Sequence, residues 1–195
     1  VEPGQLQAKL ASAQPGDHLR LRAGTHTGGL NATIHGMAAR PIVITRYPGE
    51  SPVVSFTPMS EAQSFWLRGR YYILDGLEIV GGWHCVAVDA QYVLIRNSTL
   101  LDCGTTGGQG VLLLHSDVAL VGNIITGIGT TWQSHAVYVS DFYNRNIKRI
   151  SLLGNTLEHS AGAGFQAWNA TRRVTDVLLR GNTFERNAID VILTN

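Results

Sequence analysis

Two neighbouring stretches concentrate side chains suited to a sugar acid. "SDFYNRNIKR", residues 140–149, carries Asp141, Tyr143, Arg145, Lys148 and Arg149. "WNATRRVTD", residues 168–176, carries Trp168, Arg172, Arg173 and Asp176. An aromatic plane stacks on a sugar ring face, and a guanidinium grips a carboxylate through two parallel hydrogen bonds. A solvated basic loop is the other use of the same residues. His115, His135 and His159 titrate near neutrality and are candidates for proton transfer. His115 follows a strand and can point outward near Asp89, whereas His135 opens "HAVYVSD" and suits a hydrogen bond at a corner. No His-Glu-x-x-His, Cys-x-x-Cys or Walker-type stretch occurs, so zinc and nucleotide chemistry have no support.

Short β runs must position these groups. Only "PGQLQAKLASAQPGD" reads as a helix, over about residues 3–16, with Leu6, Leu10 and Ala13 at helical spacing and Pro15-Gly16-Asp17 as the stop. The remaining runs come in pairs that can be stacked by aligning Leu77, Ser98, Asn123, Asn155 and Asn182. Successive turns of about that length predict an all-β fold, a parallel β-helix forming a single domain over residues 1–195 with an N-terminal capping helix. The inward column reads Tyr72/Leu74, Val93/Ile95, Val118/Leu120, Ile150/Leu152 and Val177/Leu179. At the bend after it, Ser98, Asn123, Asn155 and Asn182 can hydrogen-bond along the axis as a ladder. A β-sandwich is the competing architecture, but its hairpins favour Asn-Gly turns and the chain has none.

The same stacking places Tyr71, Tyr92, Asp117, Arg149 and Asp176 in one outward column. With strands about 4.8 Å apart, Asp117, Arg149 and Asp176 make an acid–base–acid ladder. It serves either as a surface ion-pair ladder or as the floor of a groove with Arg149 facing a carboxylate. The coil from Asn123 to Asn155 is the longest of the set, and loops that lengthen one coil of a solenoid commonly carry binding function.

Composition narrows the partners. The 195 residues carry a formal net charge of +1 with no basic stripe, which argues against nucleic acid. No apolar run approaches the roughly 20 residues of a membrane helix. Cys85 and Cys103 read as two buried free thiols, with a bridge between neighbouring turns as the alternative. Ile189, Val191 and Leu193 form a last strand with no coil above it. That end is expected to be covered, by self-association or by further residues.

The stretches "LASAQPGDHLRLRAGTHTGG", "ARPIVITRYPGESPVV" and "YYILDGLEIVGG" resemble the N-terminal half of right-handed parallel β-helix proteins of the pectate-lyase-like superfamily. The resemblance is greatest to the chondroitinase B and alginate lyase group. It covers residues 3–103 by motif and the remainder by coil pattern. It implies a secreted or periplasmic polysaccharide lyase that cleaves a uronic-acid polymer by β-elimination. It also implies Lys148, the one Lys outside the cap, as the base; Arg149 and His115 are the further catalytic candidates. Arg145, Tyr143, Trp168, Arg172, Arg173, Asp117 and Asp176 would then contact substrate. Ca²⁺ is the implied cofactor, and Asp141 is a candidate ligand. A non-catalytic glycan-binding module and a hydrolase or uronan epimerase on the same fold are the alternatives.

Overall fold

The computed structural model describes residues 1–56, 63–104, 107–143, 145–168 and 174–193. One short helix, α1 (Leu6–Ala11), precedes seven coils of three strands each. The first coil holds β1 (His18–Leu21), β2 (Gly24–Thr27) and β3 (Leu30–Ala32). The second holds β4 (Ile42–Arg46), β5 (Pro52–Phe56) and β6 (Phe65–Leu67), and the third β7 (Tyr72–Asp75), β8 (Glu78–Gly81) and β9 (Val86–Val88). The fourth holds β10 (Val93–Arg96), β11 (Thr99–Leu101) and β12 (Val111–Leu113), and the fifth β13 (Val118–Val121), β14 (Ile124–Ile128) and β15 (Val137–Ser140). The sixth holds β16 (Ile147–Leu153), β17 (Thr156–Ser160) and β18 (Ala163–Trp168), and the seventh β19 (Val174–Arg180), β20 (Thr183–Glu185) and β21 (Ile189–Leu193). The first strands of the coils form sheet A, the second sheet B and the third sheet C, and the strands pair in parallel. The fold is therefore a parallel β-helix, and parallel crossovers of this kind are right-handed. Parallel pairing throughout also removes the sandwich alternative, whose hairpins are antiparallel.

The aliphatic column stacks in the expected register. Tyr72 lies over Val93, Val93 over Val118, Val118 over Ile150 and Ile150 over Val177. From Tyr72 to Leu152 these residues are buried. Val177 and Leu179 in the last coil are only partly covered, and Ile189 and Leu193 are exposed. At the other end, Leu6, Leu10 and Ala13 bury themselves against the first coil. The helix is shorter than the expected 3–16. Gly4 takes a left-handed φ of +81° before it, and Ser12 leaves the helix by bonding its Oγ back to the Ala8 carbonyl at 3.0 Å.

The bend between sheets A and B carries the amide ladder. Leu77 N–H donates to Ser98 Oγ at 3.1 Å and Ser98 N–H to Asn123 Oδ1 at 3.1 Å. Asn123 N–H donates to Asn155 Oδ1, and Asn155 N–H to Asn182 Oδ1, both at 2.9 Å. The bend needs a left-handed residue, which Gly76, Gly122, Gly154 and Gly181 supply at φ of +62° to +67°. Asn97 holds the equivalent place at φ +50° and bonds Asp75 with its amide.

Cys85 and Cys103 form a disulfide rather than two free thiols, with Cα atoms 5.5 Å apart. They sit at the same corner of adjacent coils, where stacking alone brings them within bridging distance.

Candidate functional site

The outward positions of sheet C form one column in register: Asn31, Trp66, Ala87, Leu112, Tyr138, Gln166 and Ile192. Inward neighbours such as Phe65, Val86, Val111, Val137 and Phe165 are fully buried, so the alternation of each strand fixes which side chains face out. The column is flanked at both corners by aromatic residues. Trp66, Trp83, Leu112, Tyr138, Phe142 and Tyr143 are among those that line a cavity of about 290 Å³. Trp83, Trp132, Tyr138, Gln166 and Trp168 are among those that line an adjoining one of about 390 Å³. All four tryptophans of the chain thus face one groove. Trp132 and Phe142 are each 77% exposed, which is unusual for rings of this size unless they meet a partner.

A second hydrogen-bond ladder holds the corner from sheet B to sheet C. His84 N–H donates to Ser64 Oγ at 3.0 Å, and Gln109 N–H donates to His84 Nδ1 at 3.0 Å. His135 N–H donates to Gln109 Oε1, and Ala163 N–H to His135 Nδ1, both at 2.8 Å. With Nδ1 accepting, each neutral ring carries its proton on Nε2. Burial pushes both imidazoles down to about 4, so they stay neutral near pH 7. Both rings line the groove as donors. The Trp83 indole N–H is buried without a hydrogen-bond partner among the described residues. Burial pushes the Tyr138 phenol above its ordinary value, and Asp141 adds to the shift, so the phenol also remains a donor.

Guanidiniums close one end of the aromatic floor. Arg145 lies 4.9 Å over the Tyr143 ring and Arg68 4.3 Å over the Trp66 ring. Arg145 also pairs with Asp89. These contacts join the groove to a third cavity, of about 250 Å³, at the corner leading from sheet C to sheet A. His115 lines that cavity with Asp89 and Arg145, as its position after a strand suggested. His115 Nδ1 accepts from the Ser116 N–H at 2.9 Å, and burial with the nearby Arg145 holds its pKa below the usual value.

The outward column of sheet A is a separate surface. Tyr71 and Tyr92 stack with ring centroids 4.5 Å apart, and Arg149 Nη2 bonds Asp117 Oδ2 at 2.8 Å. All five members of that column, including the exposed Asp176, hold left-handed φ angles of 56° to 64°. Tyr71, Tyr92, Asp117 and Arg149 line a shallow cavity of about 340 Å³. Gln91 Nε2 reaches Asp117 Oδ2 at 3.4 Å and links this surface to the corner cavity.

The residues singled out from the sequence thus fall in three places. Tyr143 and Trp168 are on the aromatic groove, Arg145 and His115 at the corner, and Asp117, Arg149 and Asp176 on sheet A. Lys148 and Arg149 belong to β16 rather than to the preceding loop. Lys148 is exposed, with its backbone bonded to Ser116 and Asp117. His159 lies on β17, 3.3 Å from an Arg186 nitrogen and away from the groove. Arg172 and Arg173 lie outside the described residues. Asp141 is buried beside Tyr138, and no three metal-ligating side chains come together among the described residues.

Sequence reasoning missed Trp66, Trp83, His84, Trp132 and Tyr138. The steps from His84 to Gln109 and from Gln109 to His135 are 25 and 26 residues, the same coil period as the asparagine ladder. That second period was the available signal.

No family model matches the chain, and no curated protein matches it. Among solved structures, it is similar to an alginate lyase from Paenibacillus sp. str. FPU-7. The TM-score is 0.80 at 20% identity, over 100% of this chain and 73% of that one. It is also similar to pectate lyase Pel9A, with a TM-score of 0.70 at 15% identity, over 89% of this chain and 48% of that one. The chain therefore spans about half the length of the pectate lyase. At these identities the likeness establishes the fold alone.

Proposed function

We propose that the protein binds an acidic polysaccharide along the outer face of sheet C and cleaves it by β-elimination. The observation that carries this reading is the gathering of all four tryptophans on one groove that ends in stacked guanidiniums. Aromatic planes bind sugar faces, and the donors His84 and His135 suit hydroxyl oxygens. The alginate and pectate lyases of similar fold support a uronic-acid polymer as the substrate.

Elimination makes three demands. The substrate carboxylate must be neutralised, the C5 proton removed, and the leaving oxygen protonated as the C4–O bond breaks and a C4=C5 double bond forms. Arg68 and Arg145 stand at the end of the aromatic floor, and Arg68, outside the Asp89 pairing that holds Arg145, would meet the carboxylate. Tyr138, kept protonated by burial, would give its proton to the leaving oxygen. Lys148, which the resemblance implies as the base, starts on β16 of sheet A together with Arg149, so for it to take the C5 proton its side chain would have to reach across the corner to sheet C. The disulfide supports a secreted or periplasmic protein, since such bonds persist in oxidising compartments. The exposed Ile189 and Leu193 support self-association through the last coil, which light scattering at varied concentration tests.

Incubation with alginate, pectate, chondroitin sulfate and dermatan sulfate, with and without Ca²⁺, tests the activity through the ultraviolet absorbance of the unsaturated product. The reading expects turnover of at least one, abolished in Lys148→Ala. No product from any of them, with binding retained, would favour a non-catalytic glycan-binding module. One observation supports that second reading: His84, His115 and His135 each hold Nδ1 on a backbone N–H, so none offers a free imidazole base.

A further inference from the structure

We propose that the corner cavity between sheets C and A is a binding site for an oxyanion, the carboxylate or sulfate ester of the bound polysaccharide; the polysaccharide as its source rests on the reading above. The cavity is polar and holds Arg68, Arg70, Arg145, His35 and His115 against a single carboxylate, Asp89. Three guanidiniums facing one carboxylate leave an excess of positive charge in a space of about 250 Å³. Only one of the three is neutralised, because Asp89 is spent on Arg145. Arg68 is anchored by Asn31 Oδ1 at 3.2 Å and by the Trp66 ring beneath it. Arg70 is exposed and has no ion-pair partner among the described residues. His115 adds a donor, because Ser116 occupies its Nδ1 and leaves Nε2–H on the neutral ring.

The chain builds this arrangement locally. Arg68 and Arg70 flank Gly69, and a Cβ at Gly69 would collide with the Ile34 carbonyl and lie 2.7 Å from the Tyr72 ring. The glycine lets the backbone press into the corner, so both arginines line the same hollow. Arg68 and Arg145 also touch the aromatic groove through Trp66 and Tyr143. A sugar stacked on those rings would direct an acidic substituent into the hollow. Guanidiniums bind both carboxylates and sulfate esters through paired N–H donors.

Two measurements test the site. First, the His115 ring resonances are followed by NMR while sodium sulfate or the sodium salt of a monomeric uronic acid is added at constant ionic strength, with chloride as the control. A saturable shift is expected with at least one of the two. It should be lost in Arg70→Ala and partly restored in Arg70→Lys, which keeps charge but not the paired donors. A larger response to sulfate identifies the sulfate ester as the ligand group, and a larger response to uronate identifies the carboxylate. Second, calorimetry with alginate, dermatan sulfate and neutral gluco-oligosaccharides should show Arg70→Ala weakening the acidic chains by about 10- to 100-fold, with the neutral chain unchanged. Arg70 is exposed, so thermal melting of the variant should match the parent. Small anions that move His115 no more than chloride, or acidic chains bound equally well by Arg70→Ala, would overturn the site while leaving the polysaccharide reading intact. An Arg70-dependent anion response without binding of any polysaccharide would keep the oxyanion site and remove the polysaccharide as its source.

Discussion

Removing one rung of the asparagine ladder tests how the stack is held. Asn155 Oδ1 accepts from both the N–H and the side-chain amide of Asn123 at 2.9 Å, and its own Nδ2 donates to the Leu120 carbonyl at 2.9 Å. Asn155→Ala therefore orphans the Asn123 N–H inside a residue that is 1% exposed. An orphaned buried donor costs about 1–3 kcal/mol, and each of the three other lost bonds, including the one from Asn155 Nδ2 to Asn182 Oδ1 at 3.0 Å, about 0.5–1.5 kcal/mol, so the sum is about 2.5–7.5 kcal/mol. Asn182 makes the same three bonds, to the N–H and amide of Asn155 and to the Leu152 carbonyl. It sits in the half-covered last coil, where water can replace them, so Asn182→Ala should cost less by at least about 1 kcal/mol. Urea unfolding of both variants beside the parent reads the difference directly, provided the slopes agree. Equal losses at the two positions, or a loss below about 0.5 kcal/mol for Asn155→Ala, would refute the claim that the ladder is a buried, water-free hydrogen-bond chain.

Other consequences follow from the corner that faces sheet C. In the unfolded chain His84 and His135 take up protons as pH falls below about 6.5, whereas in the fold burial delays this to about 4. Stability should therefore be complete above pH 6.5 and fall by up to about 1.4 kcal/mol per pH unit for each histidine between those values. Urea midpoints that stay flat from pH 7 to 5 would contradict this, and His84→Gln should reduce the slope. The Cys85–Cys103 bond closes a loop with a sequence separation of 18, so the double alanine variant should lose about 3 kcal/mol. An unchanged melting profile under reductant would speak against the bond. At Gly108 an added Cβ would collide with the Trp83 carbonyl and come within 2.6 Å of its indole Cδ1. Gly108→Ala should displace Trp83 and weaken oligosaccharide binding at least as much as Trp83→Phe; unaltered affinity would detach Trp83 from the groove.

The fold was legible because its signals repeat. Apolar pairs at Tyr72/Leu74, Val93/Ile95 and Val118/Leu120 recur with the bend residues, and a solenoid needs nothing else to fix its register. The site was less legible because its aromatic residues obey no shared spacing, although His84, Gln109 and His135 beneath them keep the coil period. Trp66 and Tyr138 are single outward positions on short strands, and Ala87 and Leu112 between them carry no chemical signal. The loop residues Tyr143 and Arg145 stood out by type, but only stacking shows that Arg145 turns to Asp89 while Arg149 turns to Asp117. The left-handed column from Tyr71 to Asp176 was read correctly as outward, yet nothing in those residue types announces a positive φ. Two cysteines are too few to form a sequence pattern, although a separation of 18, a little under one coil, is one at which a solenoid brings positions of the same corner together.

Intrinsic tryptophan fluorescence tests the central claim most directly, because Trp66, Trp83, Trp132 and Trp168 all line the sheet C groove. Titration with acidic oligosaccharides from alginate, pectate and dermatan sulfate should give a saturable change with at least one of them. That affinity should fall at least tenfold in Trp168→Ala and in Tyr138→Ala, and hold in Arg149→Ala on sheet A. Binding detected by calorimetry with no change in tryptophan emission, or binding lost in Arg149→Ala and retained in both groove variants, would place the ligand on another face and contradict the account.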